Sequence, residues 1–436
     1  MAVSPDQAMV LLEKWYQAAV DAVEPGTAVR RFFEREGDRL LFAGRPVEVA
    51  GRLVVIAIGK AAMPMARSVA GIAGGLIDSG IVLTKDGHVD GPTPPRFVAY
   101  EAGHPIPDDR GVAATRAILD LVRGLDAGDA VVALISGGGS ALLEAPRLPV
   151  TLADVAHTTD LLLRAGAPID DLNAVRRPLS RVKAGGLLRV AAPARVYTAI
   201  LSDVLGNDPR TIASGPTVPG AADPDAARGL LERYGVHDRV PASVRQALTE
   251  RPGESAGPDA PVEPVVIIGD NNAAIDAARG AAAADGFAVN VAWQAAAGEA
   301  SDLGRAWIEQ CRATPPDIDV LIGGGEATVT VRGDGLGGRN TEFALAAAIA
   351  FEERGKDDWV IASLATDGED GPTGVAGAIA SGATGSNARA AGVDPDAALA
   401  NNDSLRVFEA AGGIVRPGPT GTNVNDLYLA VRVVSP

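Results

Sequence analysis

Residues 131–143 read VVALISGGGSALL, in which five apolar residues precede a glycine run that is flanked by two serines. This order predicts a buried strand, a tight turn and the start of a helix. Consecutive glycines let a ligand approach the backbone closely, and the first free N–H groups of a helix point outward, so an anion such as phosphate fits this turn. A plain strand-to-helix turn is the alternative that these residues alone leave open. The predicted phosphate-binding residues are Ser136, Gly137, Gly138, Gly139 and Ser140.

Strand-like apolar runs alternate with alanine-rich helical segments along the whole chain, which is typical of βαβ units. Hydrophobic residues make up 47% of the sequence but aromatic residues only 4%, so small aliphatic side chains must build the cores, as in many parallel sheets. We therefore predict an α/β protein with two α/β domains and largely parallel sheets, the first domain Rossmann-like, with an active-site cleft between the domains. The strand-like runs cover residues 53–59, 81–84, 131–139, 196–203, 265–271, 319–326 and 359–367.

The length of the chain favours two domains, because 436 residues exceed the size at which a single hydrophobic core usually suffices. Residues 251–264, RPGESAGPDAPVEP, contain four prolines and no hydrophobic periodicity, as a linker does. The sequence thus predicts an N-terminal domain over residues 1–250, a linker over 251–264 and a C-terminal domain over 265–436.

Charge and composition exclude several classes of function. The formal net charge is −16 without any basic block, which argues against nucleic acid or an anionic membrane surface as a partner. Cys311 is the only cysteine, so an internal disulfide is excluded and a reducing compartment is favoured. The four histidines are too far apart in sequence for a local zinc motif. The N-terminal segment lacks the basic residues of a signal peptide, and no apolar stretch reaches the ~20 residues that span a bilayer, so we predict a cytoplasmic protein.

Lys60 directly follows the apolar run of residues 53–59 and precedes a segment that reads as a helix, AAMPMA. A cation at the N-terminal end of a helix is unfavourable unless an anion binds there, because the helix end already carries partial positive charge. Lys60 is therefore predicted to neutralise a phosphate group, and a solvated surface lysine is the alternative. The sequence contains no G-x-x-x-x-G-K-[ST] motif, so this is not a P-loop.

Residues 327–348, ATVTVRGDGLGGRNTEFALAAA, contain a formal match to the dinucleotide fingerprint at residues 333–338. The stretch before the match alternates at period two, as a half-exposed strand does, whereas the first strand of a Rossmann domain is continuously apolar. The segment is better interpreted as a glycine loop that leads into a helix starting at Arg339 and Asn340. The guanidinium of Arg339 offers a planar fork for phosphate or carboxylate, and a structural pair with an acid is the alternative.

Carboxylates follow several of the predicted strands, where the ligands of open parallel sheets bind. Mg²⁺ usually takes one or two carboxylates together with phosphate oxygens and water, so some of these acids are candidate ligands, while the others are ordinary turn caps. Asp203, Asp270 and Asp367 are the predicted metal ligands, and Asp203 is also a candidate to orient a substrate hydroxyl, although the sequence does not choose among the acids. The full set of candidates is Asp203, Asp208, Asp270, Glu326, Asp367 and Asp370.

With these segments in view, the chain resembles the class of glycerate 2-kinases whose C-terminal part is called the MOFRL domain. The resemblance extends over nearly the whole chain and depends on several long motifs in one order. These motifs are AIGKAAMPMA (57–66), EAGHPIPD (101–108), LISGGGSALLEAP (134–146), VRRPLSRVKAGGLL (175–188), LSDVLGNDPRTIASGPT (201–217), GGGEATVTVRGDGLGGRNTEFAL (323–345), ATDGEDGPTG (365–374) and TGTNVNDL (420–427).

The resemblance implies phosphorylation of D-glycerate to 2-phosphoglycerate by ATP with Mg²⁺, and a MOFRL region over roughly residues 320–430. It also implies that Lys60 and Arg339 are the two basic active-site residues, and together with Asp203 they are the predicted catalytic residues. D-glycerate and ATP are the expected small-molecule partners, and a homodimer is an assembly that the sequence allows. By their places in the motifs, the remaining predicted residues are Gly324 and Glu326 for the nucleotide and Lys183, Asn340 and Asn425 for the substrate.

Two other functions stay open at this point: an NAD(P)H-dependent hydroxypyruvate reductase and a non-catalytic protein that binds small anions. The reductase depends on the fingerprint at residues 333–338, whose context does not fit. Carboxylates at the strand ends argue against a simple anion binder, because they repel an anion unless a metal lies between them. The sequence leaves Arg339 two roles, as a ligand of an ATP phosphate or of the glycerate carboxylate, and the choice of the 2-hydroxyl comes from the resemblance alone.

Overall fold

The computed structural model describes residues 3–220, 222–249, 261, 263–354 and 358–434. The predicted linker over residues 251–264 falls almost wholly outside these ranges. The strands are β1 (Phe33–Glu36), β2 (Arg39–Phe42), β3 (Arg45–Pro46), β4 (Leu53–Ile58), β5 (Ser79–Lys85), β6 (Phe97–Ala102), β7 (Ala130–Ile135), β8 (Arg195–Leu201), β9 (Val265–Gly269), β10 (Val289–Glu299), β11 (Val320–Thr328), β12 (Trp359–Ala365), β13 (Gly377–Ser381), β14 (Ile414–Val415) and β15 (Asp426–Arg432).

Helices fill most of the connections between these strands. They are α1 (Pro5–Ala22), α2 (Pro25–Phe32), α3 (Ala62–Ala73), α4 (Asp109–Arg123), α5 (Gly139–Leu142), α6 (Leu152–Arg164), α7 (Ile169–Arg176), α8 (Gly186–Ala191), α9 (Pro224–Arg233), α10 (Ala242–Thr249), α11 (Asn271–Ala284), α12 (Ala300–Ala313), α13 (Arg339–Arg354), α14 (Thr384–Ala390), α15 (Pro395–Ala400) and α16 (Ser404–Ala411). Short 3₁₀ helices cover Gly74–Leu76, Arg177–Leu179, Ile212–Ser214 and Gly371–Thr373.

The first large sheet has the strand order β6-β5-β4-β7-β8-β9, and the pairings from β6 through β8 are all parallel. Its strands β4 and β7 are buried along their whole length because Val, Ile, Leu and Ala occupy both faces. The prediction of a parallel α/β sheet built from aliphatic residues is confirmed here. Since β4, β5, β6 and β7 run in one direction, the residues that follow them collect along one edge of the sheet.

The second large sheet has the strand order β10-β11-β15-β12-β13-β14, and of these pairings only β10 with β11 is parallel. The prediction that both sheets are largely parallel is therefore wrong for this one. The physical reason is that β15, at the end of the chain, inserts between β11 and β12 in the opposite direction. In addition, β13 returns directly alongside β12 after a short connection, as antiparallel neighbours can.

The chain divides into two compact units, and the division differs from the predicted one. The unit that contains the parallel sheet, here called the parallel-sheet unit, comprises Pro25–Ser202 and Asn207–Ile268. The mixed-sheet unit comprises the residues up to Glu24, Asp203–Gly206 and the chain from Gly269 onward. The predicted N-terminal domain over residues 1–250 is thus not continuous in the structure.

Helix α1 belongs to the mixed-sheet unit because its apolar face packs there. The side chains of Trp15 and Tyr16 are almost fully buried, and the hydroxyl of Tyr16 donates to the carbonyl of Ala365 (2.8 Å). The indole N–H of Trp15 donates to a carboxylate oxygen of Asp285 (2.9 Å), and its ring meets Phe287 edge to face. These partners lie far along the chain, so local sequence patterns could not reveal where α1 docks.

None of the helices in the described ranges is both long and apolar enough to cross a membrane.

Candidate functional site

The glycine turn after β7 is held against the turn after β4, within the parallel-sheet unit. Gly138 takes a left-handed conformation (φ 82°) directly before α5. The backbone N–H of Lys60 donates to the carbonyl of Gly137 (2.9 Å), and the hydroxyl of Ser136 accepts from the N–H of Ala61 (3.0 Å). The predicted strand, turn and helix start are confirmed, and the turn lies beside Lys60.

The residues of this turn do not all face the same way. Gly139 is buried, and a Cβ placed on it would lie only 2.8 Å from the Cβ of Ala213. The hydroxyl oxygens of Ser140 and Ser214 lie 2.8 Å apart and share a hydrogen bond. Gly137, Gly138 and Ser140 are only partly buried, so a ligand can reach these parts of the turn, whereas Ser136 and Gly139 are buried.

A strained segment packs against the turn from the other side. Ala213, Ser214 and Gly215 all have positive φ (51°, 64° and 60°), and two of them are not glycine. Left-handed backbone at such residues costs on the order of 1 kcal/mol each and persists only where the surroundings impose it, most often near functional sites. The segment therefore supports the assignment of this region as a functional site.

Lys60 follows β4 and precedes α3, whose N-cap residue Ala61 has no capping side chain. The carbonyl of Lys60 lies 3.0 Å from Nδ1 of His88, and the stem of its side chain lies against Gly138. The predicted placement of a lysine beside the first turn of a helix is confirmed. Its role toward a phosphate group stays a prediction.

His104, which the sequence patterns did not single out, also lies close to Gly138. A Cβ on Gly138 would be 3.1 Å from Cδ2 and Nε2 of His104 and 3.2 Å from Cγ of Lys60. Burial, helped by the charges of Lys60, Lys85 and His88, lowers the pKa of His104 to about 4. The motif EAGHPIPD is the sequence feature that could have singled out His104. The spacing of the four histidines bears only on whether they form a zinc motif.

The structure corrects the predicted substrate contact of Lys183. This side chain is 1% exposed, and its ammonium donates to the carbonyls of Ser140 (2.7 Å) and Leu143 (3.4 Å). It also pairs with the buried carboxylate of Glu144 at 3.3 Å. All three ammonium protons thus have partners inside the protein, so Lys183 holds the backbone at the end of the glycine turn rather than binding a substrate.

In the mixed-sheet unit, Arg339 begins α13 as predicted and lies between two carboxylates. Its Nε is 2.8 Å from Oδ2 of Asp426, its Nη2 donates to Oδ1 of the same residue (3.0 Å), and its Nη1 donates to Glu326 (3.0 Å). Burial lowers the pKa of Arg339, but the two carboxylates raise it by more, so the net pKa is above its usual value. The side chain stays 28% exposed and retains two N–H groups beyond these contacts, which an anion can use.

Asp426, also not singled out by the sequence patterns, lies at the centre of this cluster. It is fully buried, and it also accepts from the side-chain amide of Asn340 (3.0 Å). Burial raises the pKa of Asp426 to about 7, although Arg339 and Asn340 act in the opposite direction. The amide oxygen of Asn340 accepts from Ser363 (2.7 Å), so this 1% exposed residue positions the cluster, and its predicted substrate contact is corrected.

The buried carboxylate of Asp370 caps helix α13. It accepts from the backbone N–H groups of Asn340 and Thr341 (both 2.8 Å) and from the hydroxyl of Thr341 (2.8 Å). An acid at a helix N-terminus satisfies otherwise unpaired donors and complements the helix dipole. Asp370 therefore acts as the turn cap that was the alternative to a metal ligand.

Gly324 lies inside β11, which continues beyond the predicted strand-like run of residues 319–326 as far as Thr328. A Cβ on Gly324 would collide with the side-chain amide of Asn271, whose Nδ2 donates to the carbonyls of Val424 (2.8 Å) and Asp426 (2.9 Å). The glycine makes room for this bracing amide, and that close packing accounts for it without a nucleotide.

The predicted metal ligands Asp203, Asp270 and Asp367 do not form one site. Asp270 accepts from the N–H of Ala273 as the N-cap of α11 (2.8 Å), and Asp367 accepts from the N–H of Glu369 (3.0 Å). Across the described part of the chain, no group of three or more His, Cys, Asp or Glu side chains is arranged to hold a metal ion. The set of three does not fit Mg²⁺ as a joint protein site.

Two predicted functional residues of the mixed-sheet unit, Asn425 and Asp203, lie next to each other. The side-chain amide of Asn425 donates to the carbonyl of Asp203 (2.9 Å), and the backbone of Asn425 is left-handed (φ 69°). Because Asn425 is only 3% exposed, its predicted contact with a substrate is replaced by a positioning role. Asp203 itself is partly exposed, and its predicted role toward an acceptor hydroxyl stays a prediction.

Comparison with known proteins agrees with this arrangement of motifs. Residues 11–249 match the family described as "Domain of unknown function (DUF4147)", and residues 319–426 match the MOFRL family. The D-glycerate 2-kinase of Thermotoga maritima is 39% identical over 389 residues, which cover 88% of this chain and 91% of that protein. The glycerate kinase of Homo sapiens is 33% identical over 476 residues, covering 95% and 91%.

Solved structures agree in fold as well as in sequence. The crystal structure of the glycerate kinase from Thermotoga maritima superposes with a TM-score of 0.88 at 36% identity, covering 98% of this chain and 100% of that one. Such coverage at this identity includes both units and the motifs around Lys60 and Arg339. The chain belongs to the glycerate kinase family that carries a MOFRL region.

Proposed function

We propose that this protein transfers the γ-phosphoryl group of ATP to the 2-hydroxyl of D-glycerate. The observation that carries the proposal is the edge of the parallel sheet, where Lys60 and the open glycine turn lie side by side. The relatives named as glycerate kinases support the choice of glycerate as acceptor and ATP as donor.

The chemistry asks for little covalent help from the protein, because phosphoryl transfer depends mainly on positioning and on neutralising the charge of the transferred group. Lys60 supplies a fixed positive charge next to the backbone N–H groups at residues 137–138. Such preorganised donors gain strength in a site that excludes water, since they need no reorientation as charge moves during transfer. Asp203, near the end of β8, orients the acceptor hydroxyl.

Arg339 provides an anion anchor in the mixed-sheet unit. The fork to Asp426 and the contact with Glu326 fix its guanidinium, so the two remaining N–H groups point in a defined direction. Either an ATP phosphate or the carboxylate of glycerate fits such an anchor. If the carboxylate is held, the neighbouring 2-hydroxyl stays at a nearly fixed distance, whereas the 3-hydroxyl swings about one more bond.

We propose that Mg²⁺ binds together with ATP. The described residues offer no three-ligand protein site, and Mg²⁺ commonly binds phosphate oxygens with one or two carboxylates and water. We propose only that activity requires the ion together with the nucleotide.

A product analysis tests the proposal directly. The protein is incubated with D-glycerate, ATP and Mg²⁺, and the products are identified by phosphorus NMR. We expect ADP and 2-phosphoglycerate, and addition of enolase without a mutase should consume the product. Formation of mainly 3-phosphoglycerate would contradict the proposed regiochemistry but would still identify the protein as a glycerate kinase. Binding of ATP without turnover would favour a non-catalytic anion-binding protein.

Hydroxypyruvate reduction is expected to be absent. The glycines of the fingerprint at residues 333–338 make room for protein, because Cβ atoms on Gly333 and Gly335 would collide with Asn401 and Asp403. Close packing against protein atoms therefore accounts for these two glycines without a pyrophosphate, for which the glycines of a Rossmann turn leave room. We expect no enzyme-dependent oxidation of NADH or NADPH with hydroxypyruvate, followed at 340 nm, roughly the absorption maximum of the reduced nicotinamide. Stoichiometric oxidation of the cofactor would instead support the hydroxypyruvate reductase function.

A further inference from the structure

Basic or imidazole side chains lie at or just after the ends of three neighbouring strands of the parallel sheet. The glycine turn follows a fourth strand at the same edge. Lys60 follows β4, Lys85 ends β5 with His88 shortly after it, and His104 follows β6. The turn after β7 completes the row. A concentration of such groups is unusual in a chain whose formal net charge is −16.

Contacts within the row hold it together. The imidazole of His104 and the side-chain stem of Lys60 both lie close to Gly138, only 3.1–3.2 Å from where a Cβ would be. The imidazole of His88 reaches the carbonyl of Lys60 (3.0 Å), and the N–H of His88 donates to the carbonyl of Lys85 (3.1 Å). We call Lys60, Lys85, His88 and His104 the cationic row.

The carboxylates near the row have hydrogen-bond or ion-pair partners that are not members of the row. Asp86 accepts two hydrogen bonds from Arg110 (2.6 and 2.7 Å), and Asp108 pairs with the same arginine and caps α4. A carboxylate oxygen of Glu101 accepts from the N–H of Val89 (3.0 Å). Within the described ranges, no carboxylate lies within ion-pairing distance of either lysine of the row. Two neighbouring lysines without a carboxylate counter-ion, beside a partly exposed glycine turn, are available to pair with an anion from outside the chain.

We propose that the cationic row binds the phosphate groups of the nucleotide, and that Lys85 and His104 contact them in addition to Lys60 and the glycine turn. The identity of the ligand as a nucleotide rests on the proposed function. A polyphosphate fits better than the single carboxylate of glycerate, because the groups are spread over the ends of three strands and carry more than one positive charge.

Binding should be coupled to proton uptake by His104. In the unliganded protein, burial and the positive charges of Lys60, Lys85 and His88 keep its pKa at about 4, so the imidazole is neutral near neutral pH. Bound phosphate oxygens neutralise the lysines and offer acceptors to the ring, and both effects favour the protonated form. The pKa of His104 should therefore rise on binding, and binding should take up protons at mildly acidic pH.

Binding is measured without glycerate, by calorimetry with ADP and with inorganic tripolyphosphate as probes. Lys85→Gln and His104→Gln are each expected to weaken both probes about tenfold, whereas His157→Gln, at an exposed position of α6, should leave both dissociation constants unchanged. The melting temperature of each variant checks the fold. Unchanged affinity for both probes in Lys85→Gln and His104→Gln would overturn the proposal, as would a raised KM for glycerate with unaltered nucleotide affinity.

A second measurement uses the wild-type protein and does not depend on any variant near the row being folded. Proton NMR follows the four histidine rings over pH with and without tripolyphosphate, with assignment by substitution of His157 and His237, which lie outside the row. We expect the pKa of one row histidine to rise by at least one unit, while tripolyphosphate leaves the ring resonances of His157 and His237 unchanged. No shift at saturating probe would refute the site.

The two proposals can fail separately. If the row binds tripolyphosphate as described but the protein does not phosphorylate glycerate, the proposed acceptor is wrong and the phosphate site stands. If glycerate is phosphorylated while Lys85→Gln and His104→Gln bind ADP as the wild type does, the kinase stands and the phosphate site is elsewhere.

Discussion

Replacing Lys60 by methionine is expected to lower kcat a few hundredfold, equivalent to roughly 3–4 kcal/mol of transition-state stabilisation. Methionine keeps the apolar stem that packs against Gly138 but removes the positive charge beside the open backbone N–H groups. In the proposed function Lys60 neutralises the charge of the transferred phosphoryl group, so the loss should appear mainly in kcat. The measurement is a steady-state assay of ADP formation with D-glycerate.

Lys14→Met is the matched control for this experiment. Lys14 lies on α1 with a side chain that is 57% exposed and pairs with Asp285, so its removal costs little stability and touches no part of the proposed site. It should retain the kcat of the wild type. If Lys60→Met also turns over at nearly the wild-type rate while its melting temperature is unchanged, Lys60 is a solvated surface lysine and the alternative interpretation is correct.

Local patterns in the sequence are sufficient for the parallel-sheet unit. Strands β4 and β7 are continuous aliphatic runs, and a buried parallel strand needs little more than such a run followed by a turn. For that reason the sequence alone places Lys60 and the Ser136–Ser140 turn at the same edge of the sheet. Helix α13 is likewise recognisable from its start at Arg339, although its cap, Asp370, comes from a distant loop.

Features that depend on long-range packing could not be predicted in this way. Strand β15 pairs between β11 and β12, and no local signal states which strands a C-terminal segment will separate. The glycines of β11 do not reveal in the sequence what packs against them, and in the structure they accommodate Asn271 and Ala296. Position in the sequence also could not show that His104 would reach the glycine turn.

Lys183 shows the same limit for a charged residue, since its motif favours a ligand contact while burial decides its role. Nearly complete burial of an ammonium is costly unless every proton has a partner, and here the partners are two carbonyls and Glu144. Burial lowers the pKa of Lys183, and the carboxylate of Glu144 acts against that shift. The pair thus links the turn to the body of the parallel-sheet unit.

Lys183→Met is expected to lower the free energy of unfolding by about 3–5 kcal/mol, the largest stability effect that we predict. The substitution keeps a similar volume but leaves the carboxylate of Glu144, which is 1% exposed, with Arg176 at 3.8 Å as its remaining counter-ion in place of the nearer Lys183 at 3.3 Å. It also removes the donor to the carbonyls of Ser140 and Leu143. Urea denaturation followed by circular dichroism measures the loss, and Lys14→Met should lose less than about 1 kcal/mol.

The double variant Lys183→Met/Glu144→Gln separates the buried charge from the lost hydrogen bonds. If the carboxylate left without its nearer counter-ion causes most of the damage, removing its charge should recover at least half of the stability lost in Lys183→Met, although neither carbonyl regains a donor. The affinity for ADP should recover less than the stability does, because the turn still lacks its support at Ser140. A Lys183→Met protein as stable as the wild type, or a double variant less stable than both single variants, would contradict this account of the buried pair.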